Sequence, residues 1–174
     1  VQARRYIDQC ALDLKLDYLP EIGAMIETPA SAMMLDQLLG VVDFVSIGSN
    51  DLSQYVLAID RGHPELASKL DALHPAVLRM IKHVAETGRL AGKKVSLCGG
   101  LASDPVAIPL LLGLDVLELS VVPVLIPRIK NLVRQLNIKA CRTLVEQALS
   151  AGDAASVRKL SIELIAQAEL GALA

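Results

Sequence analysis

Four short β-like runs, residues 22–27, 42–47, 94–98 and 116–121, alternate with helical patterns along this chain. That alternation is the rhythm of βα units, and it predicts an α/β fold built on a parallel sheet. Helix starts are marked by Thr28-Pro29, His74-Pro75, Asp104-Pro105 and Pro127, where a proline in the first turn gives up no needed hydrogen bond. Over residues 76–91, Val77, Leu78, Ile81, Val84 and Ala85 form one apolar face, while Arg79, Lys82, Glu86 and Arg89 fall mostly on the other. After Val121 the pattern is purely helical: 126–136, 140–149 and 154–170, the last opening at Asp153. Residues 62–73 form one polar insertion, and no fixed repeat or low-complexity linker interrupts the pattern.

At 174 residues the chain can bury one sizeable core, and a second full domain is not expected. Hydrophobic residues make up 53% of it, yet three Tyr and one Phe are its only aromatics, so Leu, Val, Ile and Ala must build that core. A net charge of −2 without a Lys/Arg run gives no electrostatic footprint for nucleic acid. Cys10, Cys98 and Cys141 are widely spaced and odd in number, which suggests neither a disulfide framework nor zinc and fits a reducing cytoplasm. The apolar stretch 105–127 is not a membrane span, because Asp115 and Glu118 would each cost about 3 kcal/mol at a bilayer centre. The chain opens on Val1 with no signal sequence, which suggests a start cut from a longer polypeptide.

Chemistry concentrates in residues 43–61, DFVSIGSNDLSQYVLAIDR, where the apolar run Phe44, Val45, Ile47 meets Gly48-Ser49-Asn50-Asp51. In a parallel α/β protein the C-terminal mouth of a strand is where ligands bind. An amide, a carboxylate, two hydroxyls and Arg61 within a few turns of chain suit a metal-bound, phosphorylated or carboxylated small molecule. The plain alternative is a strand-to-helix loop with Asn50 or Asp51 as the N-cap.

The core Ser46-Ile47-Gly48-Ser49-Asn50-Asp51-Leu52, with Gln54 and Arg61, resembles the second signature of the phosphoenolpyruvate-utilising enzymes. That family includes enzyme I of the bacterial sugar phosphotransferase system, pyruvate phosphate dikinase and phosphoenolpyruvate synthase. Within it, residues from about 20 to 121 are similar to the last four strands of enzyme I's phosphoenolpyruvate-binding (β/α)₈ barrel, and the later helices to its C-terminal tail. The resemblance thus implies the C-terminal half of a TIM-type barrel over residues 1–122 and a helical tail over 123–174 packed on it as one domain.

The same resemblance implies roles. Glu27, in Gly23-Ala24-Met25-Ile26-Glu27-Thr28-Pro29-Ala30, and Asp51 match the family's magnesium carboxylates. Magnesium takes oxygen ligands, commonly one or two protein carboxylates with substrate and water completing the shell. Asn50 and Arg61 match residues that hold the phosphoryl group; an arginine offers a planar fork to phosphate oxygens. Cys98, in Val95-Ser96-Leu97-Cys98-Gly99, matches the cysteine that protonates C3 of enolpyruvate. Taken alone, each residue also has an ordinary reading. Glu27 could be a solvated residue at a helix start, Arg61 a surface partner of Asp60 or Glu65, and Cys98 a small buried hydrophobe. Cys10 and Cys141 lie on helical patterns and read as structural, and His63, His74 and His83 as ordinary surface histidines. One position departs from the family: where enzyme I usually has Cys-Gly-Glu, this chain has Cys98-Gly99-Gly100.

The function implied is part of a phosphoenolpyruvate–protein phosphotransferase, stand-alone or fused as in a multiphosphoryl transfer protein. It would use magnesium and pass phosphate from phosphoenolpyruvate to a histidine, with pyruvate as the other product. A phosphocarrier protein would be served through an upstream domain, and a homodimer is expected. Two alternatives stand: the barrel of a dikinase or synthase, or an inactive fragment that acts as a dimerisation module. Alone, the chain is expected to show no turnover.

Overall fold

A computed structural model describes residues 2–171; Val1 and the last three residues of the expected tail lie outside them. Strands β1 (Gly23–Ile26), β2 (Phe44–Gly48), β3 (Lys94–Cys98) and β4 (Glu118–Leu119) form one parallel sheet in the order β1-β2-β3-β4. Every neighbouring pair is consecutive in sequence, so each connection is a helical crossover. The fold is therefore α/β, as the alternation predicts.

Strand ends differ from expectation for local reasons. At the first pair of strands, the Asp43 carboxylate takes the Ile22 amide at 2.8 Å and the Arg4 guanidinium at 2.6 Å, tying the two strand starts to the preceding helix. The ladder begins just beyond, at Gly23 opposite Phe44. The six-residue run at 116–121 contributes a two-residue strand. Asp115 turns the chain at φ 59°, and only Glu118 and Leu119 pair, with Ser96 and Leu97.

Side chains alternate across the pleat. Ile26, Val45, Ile47 and Leu97 point to one face and are completely buried under helices. Met25, Ser46, Ser96, Cys98 and Glu118 share the other face, and Met25 there is 50% exposed. Of these five side chains only Ser96 is buried, and among the described residues β1 and β4 are free edges.

The covering helices are α1 (Gln2–Asp13), α2 (Pro29–Met33), α3 (Leu35–Leu38), α4 (Ser49–Leu57), α5 (Pro75–Leu90), α6 (Gly100–Ser103) and α7 (Ile108–Gly113), followed by α8 (Ile126–Gln135), α9 (Ile138–Ser150) and α10 (Ala154–Gly171). Caps explain several boundaries. Thr28 and Ser31 form a reciprocal capping box at α2, His74 Nδ1 accepts from the Ala76 amide at 3.2 Å, and Asn137 Oδ1 accepts from Lys139 and Ala140. Helix α9 accordingly starts two residues before the expected 140. The expected helix start at Asp104-Pro105 is instead a turn, with Asp104 Oδ1 accepting the Val106 amide at 3.0 Å, and α7 begins three residues beyond Pro105. Helix α6 was not foreseen, since glycines open it and no side chain caps it. The tail is integral to the core: Leu144, Val145, Ala148 and Val157 join one buried cluster with Ile26, Val45 and Leu97.

Candidate active site at the strand mouths

Glu27 directly follows β1, and Gly48 and Cys98 end β2 and β3, all at nearly one level, since Ile26 pairs with Ile47 and Gly48 with Cys98. Glu27 leans across onto β2. A Cβ built on Gly48 would lie 2.6 Å from Glu27 Cγ and 2.7 Å from its Oε1, so only glycine leaves the carboxylate that place. Helix α4 starts at once, which sets Asn50 and Asp51 in its first turn at the same mouth. Its N-cap is Gly48 with no side-chain cap bond, so neither Asn50 nor Asp51 is the helix cap that the plain alternative requires.

The turn after β3 is tied to this loop at two points. Ser49 Oγ donates to the Cys98 carbonyl at 2.6 Å, and the Gly100 amide donates to Asn50 Oδ1 at 2.9 Å. Gly99 lies between them at φ 92°, where a Cβ would meet Ser49 Oγ at 2.5 Å, so both conformation and space exclude a larger residue. Asn50 therefore gives its oxygen to the Gly100 backbone and keeps its NH₂ for a ligand. Gly100, at the departure from the family pattern, has no side chain to offer and contributes its backbone amide, as any residue but proline could. The Cys98 thiol is half-buried, with Sγ 3.5 Å from the Ile47 carbonyl oxygen and 3.7 Å from Met25 Sδ on the uncovered face of the sheet.

Arg61 reaches back to this mouth. Its guanidinium donates to Asp51 Oδ1 at 2.9 Å, and its backbone amide to Gln54 Oε1 at 3.2 Å. The partner is thus Asp51, and not the Asp60 or Glu65 of the ordinary alternative. With the Arg61 side chain 53% exposed, the pair adds little stability and is easily exchanged for a ligand contact. Glu27 and Asp51 bring carboxylate oxygens to neighbouring strand ends, a donor set that fits a hard divalent cation completed by substrate and water. Among the described residues no cluster of three or more His, Cys, Asp or Glu forms a ready-made metal cage.

Beside the mouth lies a cleft of about 250 Å³ lined by Asn50, Ser53, Arg61, Gly100, Asp104 and Arg158, among others. It contains the two residues expected to hold phosphate, whereas Glu27, Asp51 and Cys98 are outside it. A larger hollow, about 600 Å³, opens at the opposite end of the strands around Arg89, Lys94, Glu118 and Arg142. None of the expected site residues line it, so the smaller cleft is the better functional candidate. Arg158, a single arginine on a tail helix, carried no recognisable signal, and Ser49, though part of the motif, gave no sign of its bond to the Cys98 carbonyl. Cys10 is exposed on α1, and Cys141 is buried on α9, where burial pushes its thiol pKa up. His63 is an exposed turn acceptor for the Glu65 and Leu66 amides, while His74 and His83 are half-buried.

Residues 2–138 match the family described as PEP-utilising enzyme, PEP-binding domain. The chain belongs to this family. It is 46% identical, over 97% of its length, to a multiphosphoryl transfer protein of Xanthomonas campestris pv. campestris, of which it covers 20%. It is 45% identical over 91% of its length to a multiphosphoryl transfer protein of Rhodobacter capsulatus, covering 19%. A phosphoenolpyruvate-protein phosphotransferase of Haemophilus influenzae is 39% identical over 86% of the chain, covering 26%. The chain thus spans roughly a fifth to a quarter of these relatives. Among solved structures, a citrate lyase from Burkholderia xenovorans LB400 superposes on 97% of the chain and 59% of its own, with a TM-score of 0.55 and 17% identity, a likeness of fold alone. No helix among the described residues is long and apolar enough to cross a membrane.

Proposed function

We propose that this chain is the C-terminal half of a phosphoenolpyruvate-binding (β/α)₈ barrel, residues 1–122, with a helical tail, 123–174, in the same domain. The whole polypeptide is a cytoplasmic phosphoenolpyruvate–protein phosphotransferase of the enzyme I or multiphosphoryl transfer type. The observation that carries this reading is the convergence of Glu27, Asn50, Asp51, Arg61 and Cys98 on adjoining strand mouths within a chain of this family. The names of the relatives favour a phosphotransferase over a dikinase or synthase. A largely unburied sheet face with two free edges fits a barrel whose other strands come from elsewhere in a longer polypeptide.

In the reaction, the phosphorus–oxygen bond of phosphoenolpyruvate breaks, its electron pair stays on the enolate oxygen, and the phosphoryl group joins a histidine nitrogen. Arg61 and the free NH₂ of Asn50 grip phosphoryl oxygens, Arg61 leaving Asp51 as it does so. Because the Gly100 amide fixes the Asn50 side chain, that donor is already oriented when substrate arrives. Cys98 then gives its thiol proton to C3 of the enolate, forming pyruvate, and recovers a proton from water. Glu27 and Asp51 would hold magnesium, which supplies positive charge to neutralise the phosphate and carboxylate of the substrate. The phosphorylated histidine and the phosphocarrier protein are served by upstream parts of the polypeptide, and the functional unit is a homodimer.

The test uses the full-length parent polypeptide. Glu27→Ala and Asp51→Ala should each abolish magnesium-dependent phosphotransfer from phosphoenolpyruvate while the fold is retained. Unchanged turnover with unchanged magnesium dependence in either variant overturns the metal assignment.

A further inference from the structure

Arg158 lies outside residues 2–138, yet its guanidinium closes the cleft that holds Asn50 and Arg61. Its Nε and one terminal nitrogen donate to the two oxygens of Asp71 at 2.6 and 3.0 Å, and the other terminal nitrogen donates to Asp104 Oδ2 at 3.0 Å. The three side chains are 25–37% exposed, so the contacts are better shielded than the Arg61–Asp51 pair. One cation bridges two loops that are 87 and 54 residues away in sequence.

Each of those loops continues a piece of the mouth. Asp71 lies near the end of the polar insertion that follows Arg61, and its Oδ1 also accepts the Leu73 amide at 2.9 Å, just where Leu73 plunges into the core. Asp104 closes the short helix that Gly100 opens, and its Oδ1 accepts the Val106 amide. Three residues along α10, Ser161 Oγ donates to the Val106 carbonyl at 2.6 Å, a further point of attachment on the second loop. Burial alone would push the Asp71 carboxyl pKa up, but the Arg158 hydrogen bonds together with the Leu73 amide hold it below its ordinary value.

We propose that Arg158 is a positioning residue for phosphoenolpyruvate: the tail helix uses it to hold the Arg61 loop and the Cys98–Gly100 loop at a fixed separation across the cleft. The proposal rests on the assignment of this mouth to phosphoenolpyruvate. Arg158 touches no reacting atom in this scheme. Its two ion pairs use most of its donors, and its contribution is to preorganise Arg61 and Asn50, which bind the phosphoryl group before and during transfer. Lysine cannot replace it fully, because a single ammonium cannot span both oxygens of Asp71 and reach Asp104 as a planar fork does.

The experiment has two arms. In the full-length parent, Arg158→Met should raise KM for phosphoenolpyruvate about tenfold with kcat changed much less, the signature of weakened binding common to ground and transition states. Arg158→Lys should fall between Arg158→Met and the unaltered protein, and Asp104→Asn should resemble a partial loss. In the same full-length parent, hydrogen exchange should quicken at the Leu73 and Val106 amides in Arg158→Met while the amides of β2 and β3 keep their protection. Asp51→Ala is run alongside. A dead Asp51→Ala with an unchanged KM and unchanged Leu73 and Val106 exchange in Arg158→Met overturns the positioning role and leaves the site assignment intact. A fully active Asp51→Ala overturns the site assignment itself. Uniformly faster exchange with an unchanged KM would show that Arg158 only stabilises the fold, and overturns the proposal. Should Arg158→Met fail to fold, Arg158→Lys and Asp104→Asn carry the same readouts.

Discussion

The two faces of the sheet serve opposite ends. One face presents Ile26, Val45, Ile47 and Leu97, none of them accessible to water, to helices that continue into the tail. The other presents Met25, Ser46, Ser96, Cys98 and Glu118, mixing sulfur, hydroxyl and carboxylate on a face where only Ser96 of the five is buried. A parallel sheet normally has both faces covered. The difference teaches that stability and the proposed chemistry are separated by the two-residue period of the strand: in β3, Leu97 belongs to the core, and its neighbour Cys98 lies on the face to which the proposed reaction is assigned.

That separation can be broken most sharply at Cys98. In the full-length parent, Cys98→Ala should slow turnover by about two to four orders of magnitude, the usual loss on removing a positioned general acid. Phosphoenolpyruvate binding should stay nearly unchanged, and Cys10→Ala should do little. Equal effects from the two substitutions in steady-state assays would make Cys98 structural and dissolve the contrast. On the covered face the largest effect should be on stability. Ile47→Ala should cost about 2–5 kcal/mol in denaturant unfolding, by lost transfer energy and the cavity left behind, whereas Ser46→Ala, one residue away on the other face, should cost well under half of that.

The contrast between faces was only half legible from sequence. Apolar runs bounded by glycine and proline marked the strands, because burial and chain reversal both write locally. The strand at 116–121 was overestimated since a run of apolar residues does not reveal how many backbone groups will find a neighbour; beyond Leu119 the ladder has no further partner, and only the Ser120 amide still bonds to Leu97. At the mouth, the motif displayed Asn50, Asp51 and Arg61, but not that Arg61 would turn onto Asp51, since ten residues of helix and turn determine that reach. Gly100 looked like a lost carboxylate; its amide, which holds Asn50, is a backbone contribution that no side-chain pattern records. Arg158 was invisible because its partners are far away in sequence and its helix shows only an apolar stripe.

The open face should also reveal itself in association. The 174-residue chain alone should self-associate at tens of micromolar, roughly where exposed edges and apolar surface become sticky, and should show no phosphotransfer. Sedimentation can then separate the faces. Met25→Glu, on the less buried face, should weaken association about tenfold, consistent with losing a half-exposed apolar side chain from the contact, while Ile162→Glu on the exposed tail should leave it unchanged. The reverse ranking would move the contact to the tail helices, and a monodisperse monomer would refute the expectation altogether.

The smallest effect belongs to the covered side, where the tail grips the mouth. Asp71 has a carboxyl held below its ordinary value of 3.8, with the upward push of burial outweighed by Arg158 and the Leu73 amide. For a depressed acid, the unfolded chain binds the proton more readily than the folded one, so the stabilisation is complete above the unfolded value. It is lost as the pH falls through the lower, folded value. Arg158 stays charged across that whole range, since its pairing with Asp71 pushes its own pKa further up. Stability measured by denaturant at stepped pH should therefore fall below about pH 4, and Asp71→Asn should flatten that limb by on the order of 1 kcal/mol, a modest figure because water still screens a partly exposed pair. Asp153, whose carboxyl is also held low, by the Ser156 backbone and side chain at the start of α10, should add a parallel slope that Asp71→Asn leaves in place. If Asp71→Asn leaves the acid limb unaltered, the Arg158 clamp contributes nothing to the covered side, and the tail holds the mouth through its apolar contacts alone.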